Sequence, residues 1–332
     1  MVLNMDIGIY GFGSIGRLLA KYAIERGYNI VGVYDIDKSI IGKDIGELIG
    51  LSGKYGVEVS SDPLDLVNSD VVYHATSSYL DTVYPQLIEL IDMGVDVIST
   101  CETLAYPYYR YPVLARKLDE YARLQGVSIL GTGVNPGFVL DTLVITLSAV
   151  LTSIKRIVAI RSLDAGKRRA SFRKKIGVGD RYENVREKLE KGVLTGHVGY
   201  AESIYLISEA LGIELTNVIE KQEPVIADDK VSSHGIVIDK GFVKGIIGYG
   251  LGYVGDREVI RIELHAYVGA EDYEEIIVEG DYSIKWRSTG IPGDQGTVAV
   301  LLNLGERIGM YGPGLLLMTD LLPYRLFAKI TV

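Results

Sequence analysis

The chain has 332 residues, with 34 Lys and Arg against 43 Asp and Glu, a net charge of −9 and a single cysteine. At roughly 150 residues per domain this length makes about two domains. The acidic balance argues against sequence-independent binding of nucleic acid, which needs a basic face to displace counterions, and one thiol excludes an internal disulfide or a zinc site built on several thiolates. No basic, apolar leader opens the sequence, and its longest apolar stretch, 142–154, falls short of the roughly 20 residues that span a bilayer. The expectation is a cytoplasmic protein with no membrane partner and no metal. Four Gln, seven Asn and one Cys lean toward a thermophile, in which thermolabile residues are scarce.

The N-terminal part alternates short apolar runs with helical patterns. Strands are expected at 6–10 (DIGIY), 30–34, 71–74, 95–100 and 127–132, and helices at 15–26, 82–93 and 111–124. Strands and helices alternating at this spacing make right-handed βαβ units, hence a doubly wound parallel sheet of Rossmann type. The rhythm changes near residue 140. Strands at 157–162, 235–238, 241–248, 258–268 and 273–280 have tight turns and alternating polarity, which reads as an α+β domain with an open mixed or antiparallel sheet. Helices are expected at 182–191, 197–211 and 296–308. The domains are therefore taken as 1–140 for the dinucleotide and 141–295 for substrate and dimerisation, with 296–332 packing back on the first.

Gly11-Phe12-Gly13-Ser14-Ile15-Gly16 follows the first strand and opens the first helix. In that context G-x-G-x-x-G is a dinucleotide fingerprint: Gly11 for the tight turn, Gly13 for close approach of the pyrophosphate, Gly16 for helix–strand packing. Asp35 closes the second strand, where an acid binds the ribose hydroxyls and favours NAD; Lys38 could offset the repulsion of a 2′-phosphate, which keeps NADP open. Ligands of such sheets sit at the carboxyl ends of the strands, so Ala75, Thr76 and Ser77, then Thr100 and Cys101, then Asn135, Pro136 and Gly137 complete the candidate cofactor site. The last three also read as a turn leaving the final strand, and His74 reads as a packed or surface histidine. Glu102 lies just past a parallel strand. A carboxylate there is either a general acid and base or a cap for the following turn.

Longer runs carry a resemblance. Val97–Glu102, Gly131–Phe138, Gly196–Ser203, Gly280-Asp281-Tyr282 and Ile291–Thr297 resemble the 2,4-diaminopentanoate dehydrogenase family, which is related to native amine dehydrogenases and, more distantly, to dihydrodipicolinate reductase. The resemblance implies NAD(P)-dependent oxidative deamination of an amine or diamino acid to a ketone and ammonia, or the reverse reductive amination. It implies Glu102 as the catalytic acid, Phe138 and His197 as substrate-pocket candidates, and a homodimer formed through the second domain's sheet. The alternative reading of His197 is a capping or packing residue at the start of an amphipathic helix. Two departures bear on the substrate. Thr103 stands where the family often has a second acid, and residues 167–175 hold six basic residues in nine, either to capture a substrate carboxylate or as a solvated loop; Arg161 is a second candidate for that carboxylate. The rivals are a reductase of the dihydrodipicolinate type on the same scaffold, although no paired histidines occur, and a non-catalytic NAD-binding sensor, which would have no use for Glu102. Cys101, beside Glu102, is read as a packing residue.

Overall fold

The structure, a computed structural model, describes residues 5–322 and the backbone of 329–330. The chain divides into two compact units, one comprising 5–138 with 292–322 and the other 139–291 with 329–330.

The first unit begins β1 (Asp6–Tyr10), α1 (Ser14–Glu25), β2 (Asn29–Tyr34), α2 (Ile45–Ile49), β3 (Val59–Ser60), β4 (Val71–His74), α3 (Leu80–Asp92), β5 (Asp96–Ser99), α4 (Pro107–Arg110), α5 (Pro112–Gln125) and β6 (Ser128–Gly131). The strands pair in parallel in the order β3-β2-β1-β4-β5-β6, the doubly wound Rossmann arrangement whose strand order reverses at β1. Continuous apolar runs form these strands because helices cover both faces. Ile7 and Ile9 join Leu19 and Ala23 of α1 on one side; Tyr10 and Val72 join Leu87, Leu90 and Leu118 of α3 and α5 on the other. Gly126, at φ +75°, ends α5 in the left-handed conformation.

The second unit contains α6 (Thr142–Ser148), β7 (Ser153–Asp164), α7 (Ala170–Lys175), α8 (Tyr182–Glu190), α9 (Tyr200–Leu211), β8 (Asn217–Ile226), β9 (Val231–Ser233), β10 (Ile236–Ile238), β11 (Val243–Val254), β12 (Arg257–Tyr267), β13 (Tyr273–Gly280) and β14 (Ser283–Arg287). Its main sheet runs β14-β13-β7-β12-β11-β8 and is mixed, because β7 and β12 are parallel to each other while β13 and β11, which flank them, are antiparallel. Glycines at alternate positions of β11 let α9 lie close on one face: a Cβ at Gly248 would stand 2.1 Å from the Tyr200 hydroxyl, and one at Gly250 2.8 Å from Ile204. On the other face Val158, Ile160, Ile247, Leu251 and Ile277 are only half-buried, interleaved with Arg156, Arg261 and Glu263.

The chain then returns to the first unit through α10 (Gly293–Gly305), which packs against α1, and β15 (Gly314–Leu316), which adds a seventh parallel strand beside β6. The expectation that everything from 296 to 332 packs on the first unit needs a correction at its end, since β16 (Lys329–Ile330) pairs with Ser153–Ile154 of β7. The β12 ladder on that side of β7 begins only at Ile157, so the start of β7 has an open edge whose backbone groups need partners.

Three further expectations shift. The helix placed at 197–211 starts at Tyr200, after Gly199 at φ +117°, and is buried around most of its girth, Glu202 and Ser203 included, so it is not amphipathic. The last helix starts three residues early, at Gly293, with Pro292 as its N-cap. Residues 167–175 are not a plain solvated loop: a short 3₁₀ turn and α7 order them, Lys167 pairs with Asp272, and the Arg168 guanidinium lies 5.0 Å from the Phe172 ring centroid.

Candidate active site

The glycine-rich loop meets the three steric demands separately. Gly11 has φ +98°, and a Cβ there would lie 2.7 Å from the Ala75 carbonyl. A Cβ on Gly16 would lie 2.1 Å from the Gly11 carbonyl, so only glycine lets α1 start this close to β1. At Gly13 a Cβ would meet nothing within 4 Å; the space over the loop is open. Gly13 caps α1 without a side-chain hydrogen bond, and the first turn holds no acid, so the positive end of the helix stays available to an anion. Ser14 is exposed beside it. Phe12 and Ile15 turn their side chains into the core, so only their backbones can meet a ligand.

Asp35, just past β2, accepts from Phe12 N at 2.5 Å and from Asp37 N at 2.8 Å. Its carboxylate therefore braces the glycine loop from the side where a ribose would lie. Lys38 is exposed.

At the ends of β4 and β5 a buried polar network joins the next two loops. His74 Nδ1 lies 2.8 Å from Ser99 Oγ, and Nε2 lies 2.7 Å from Gln86 Oε1 and 3.0 Å from Thr76 Oγ1. Burial pushes the imidazole pKa down to about 4, so it is neutral and has one donor and one acceptor nitrogen. Ser99 Oγ in turn accepts from Cys101 N at 3.1 Å. Thr103, fully buried, accepts from Leu80 N at 2.8 Å and donates its own amide to Ser78 O at 3.1 Å. Thr103 thus caps α3, which has no side-chain cap of its own. Between these anchors Glu102, half-buried, opens a 3₁₀ turn, Glu102–Ala105. Cys101 is buried, and desolvation, reinforced by the Glu102 charge, pushes its thiol up to about 12; it is a packing group and not a nucleophile. Thr100 is half-buried.

The loop after β6 is fastened to α10, where Val134 N donates to Thr297 Oγ1 at 3.3 Å. Asn135–Pro136 is a cis peptide, and Gly137, at φ +122°, packs where a Cβ would stand 2.4 Å from Thr132 Oγ1. The Thr132 hydroxyl is buried and has no hydrogen-bond partner among the described residues. With the open space at Gly13, this orphaned hydroxyl at the same sheet edge fits a site that receives a polar ligand. Phe138, at the end of this unit, is 37% exposed.

The second unit holds the remaining candidates. Arg161 is buried; its Nε lies 3.4 Å from Glu274 Oε1 and its Nη2 donates to Ile291 O at 2.8 Å. Its charge is matched within the protein, which weighs against capture of a substrate carboxylate. The His197 ring stacks edge-on to Tyr200 at 4.8 Å, and its amide donates to Gln222 Oε1 at 2.7 Å. Burial, then the Lys175 and Arg161 charges, lower its pKa to about 3.

Reasoning from sequence did not single out Gln86, noted Ser99 and Thr132 only as strand-end hydroxyls, and read Thr103 only as the place of an absent acid. Nothing local marks Gln86 on α3 or the capping role of Thr103. Among the described residues no group of three or more His, Cys, Asp or Glu could hold a metal ion, and no helix is long and apolar enough to cross a membrane.

Comparison with known proteins adds independent findings. Residues 138–330 match the family model of the 2,4-diaminopentanoate dehydrogenase C-terminal domain. The 2,4-diaminopentanoate dehydrogenase of Acetoanaerobium sticklandii is 31% identical over 96% of this chain and 92% of its own length. An amine dehydrogenase of Streptomyces virginiae is 26% identical over 82% of this chain and 73% of its own. Among solved structures, the amine dehydrogenase of Mycobacterium smegmatis superposes with a TM-score of 0.85 over 97% of both chains at 22% identity, a likeness of fold.

Proposed function

Because the chain belongs to the 2,4-diaminopentanoate dehydrogenase family, and so to the oxidoreductases, we propose that it oxidatively deaminates a small amine or diamino acid to the ketone and ammonia with NAD or NADP, and runs the reverse reductive amination. The observation that carries this reading is Glu102, a half-buried carboxylate one turn past β5 on the sheet edge that also bears the open glycine cradle. Gly11 to Gly16 would hold the pyrophosphate, Asp35 the ribose, and Ala75 to Ser77, Thr100, Cys101 and Asn135 to Gly137 the rest of the dinucleotide. The bound cofactor supplies a hydride acceptor.

Everything else falls to the protein. Loss of hydride from the amine-bearing carbon leaves an iminium. Glu102 orients the nitrogen, accepts a proton from the water that adds to the carbon, returns it to the nitrogen of the carbinolamine as ammonia departs, and takes up the hydroxyl proton released as the carbonyl forms. Asp35 supports NAD as the preferred cofactor, since its carboxylate would repel a 2′-phosphate. The neutral His197 and half-exposed Phe138 favour recognition of an apolar part of the substrate. The half-exposed aliphatic residues on the open face of the second unit's sheet support a homodimer.

The test is NAD(P)H formation across a panel of amines and diamino acids, in both directions, for wild type and Glu102→Gln. The variant should lose roughly 10²- to 10⁴-fold in turnover while still binding cofactor. A loss below about tenfold on that scale would remove Glu102 from the chemistry, and a clear preference for NADP would overturn the argument from Asp35.

A further inference from the structure

His74 is a fully buried polar side chain at the carboxyl edge of the first sheet, and the reaction outlined above does not use it. The ring lies between elements that separately carry cofactor and catalytic candidates. One edge meets Ser99, the last residue of β5, at 2.8 Å; the other meets Gln86 on α3 at 2.7 Å and Thr76 in the loop after β4 at 3.0 Å. Tyr10 stacks against it at 5.3 Å and is itself stacked on Tyr34, which fixes the ring plane.

The hydrogen bonds run in a single direction. The Cys101 amide donates to Ser99 Oγ at 3.1 Å. Gln86 Oε1 can only accept, so Nε2 is the protonated nitrogen and Nδ1 accepts from the Ser99 hydroxyl. Nε2–H is then shared between Gln86 Oε1 and Thr76 Oγ1, and the Thr76 hydroxyl donates to Gln86 Oε1 at 2.7 Å. The amide that enters the Glu102 turn is thereby connected, through three side chains, to the loop that would carry the middle of the dinucleotide.

We propose that His74 is a positioning residue, which through Ser99 holds the turn bearing Glu102 and through Gln86 and Thr76 holds the cofactor loop, so that acid and cofactor keep one relative setting. The proposal rests on the reading of Glu102 as the acid–base group. A buried neutral imidazole suits the task because its two nitrogens have opposite hydrogen-bonding roles on a rigid frame.

Two amide substitutions divide the ring's functions. His74→Asn retains an acceptor near the Nδ1 position and loses the reach to Gln86; His74→Gln retains a donor near the Nε2 position and loses the Ser99 link. His74→Gln and Ser99→Ala should lower kcat by about ten- to a hundredfold, the scale of a small misplacement of a catalytic group. Both should speed hydrogen exchange in residues 100–106. His74→Asn should lose less in kcat and more in cofactor affinity, about two- to tenfold in Kd for a lost neutral hydrogen bond. Thermal melting of each variant checks the fold, and Ser99→Ala, which removes one atom, guards against the histidine variants failing to fold. Equal losses of kcat and cofactor affinity in the two His74 variants would overturn the proposal. So would wild-type turnover and exchange in Ser99→Ala. The exchange measurement needs no substrate: faster exchange together with full turnover by Glu102→Gln would overturn the acid–base role alone, and the coupling of the two loops would stand.

Discussion

Gly13→Ala adds one methyl group at the point where the glycine loop stands open. The backbone there is extended (φ −74°), and the new Cβ meets no atom within 4 Å. The folded protein should tolerate it: the smaller preference for Ala at an N-cap and the reduced freedom of the unfolded chain each amount to about half a kcal/mol and oppose each other. A pyrophosphate lying on the loop would be held off by the methyl group. Losing one hydrogen bond to a charged group costs about 1.5–3 kcal/mol, which is roughly a ten- to hundredfold rise in Kd for NAD(H). Gly16→Ala is the internal contrast. Its Cβ would sit 2.1 Å from the Gly11 carbonyl and 3.3 Å from Ile9, so the start of α1 must shift, and overpacking of this kind costs about 1–3 kcal/mol of stability. NADH fluorescence titration and thermal melting of both variants separate the effects: Gly13→Ala should bind poorly and melt normally, and Gly16→Ala should fail on both. Wild-type NADH affinity in Gly13→Ala would refute the placement of the phosphates over this loop.

Two predictions concern titration. With its thiol pushed up to about 12, Cys101 should resist iodoacetamide at pH 8 in the native protein and react fully in denaturant, as mass spectrometry would record; rapid native alkylation would contradict its assignment as a packing group. His74 and His197, with pKa values lowered to about 4 and about 3 by burial, refuse protons that the unfolded chain takes up below about 6.5. The stabilisation from keeping them neutral is therefore full above pH 6.5 and is lost as pH falls toward 4, by up to about 1.4 kcal/mol per histidine per pH unit. Urea unfolding between pH 5 and 7 should have a shallower pH slope in His197→Gln than in wild type, and equal slopes would contradict the burial of a neutral ring.

The first unit was the more legible part because its signals are local. A parallel strand covered by helices must be a continuous apolar run, as in Asp6–Tyr10 and Val71–His74, and the spacing of Gly11, Gly13 and Gly16 states the turn, the open approach and the tight packing within six residues. Glu102 could be located for the same reason, as a carboxylate just past the end of a parallel strand. The structure redistributed roles around it: Thr103, read as the place of a missing acid, turns out to cap α3, and His74, read as a packed or surface histidine, turns out to be the centre of a buried network.

What amino-acid order determined by itself was the periodicity of each element and the backbone freedom at each glycine, properties set by a residue and its near neighbours. What only the tertiary structure decided were partnerships between distant segments. β15 is three residues long, too short for a period to register, and is a strand because β6 offers a parallel edge. The second sheet is mixed because β7 and β12, a hundred residues apart, lie parallel, and no local pattern encodes the direction of a partner. Arg161 looked like a receptor for a substrate carboxylate until Glu274, brought beside it by β13, matched its charge. A buried charge must be paired, and which residue pairs it is decided by the fold.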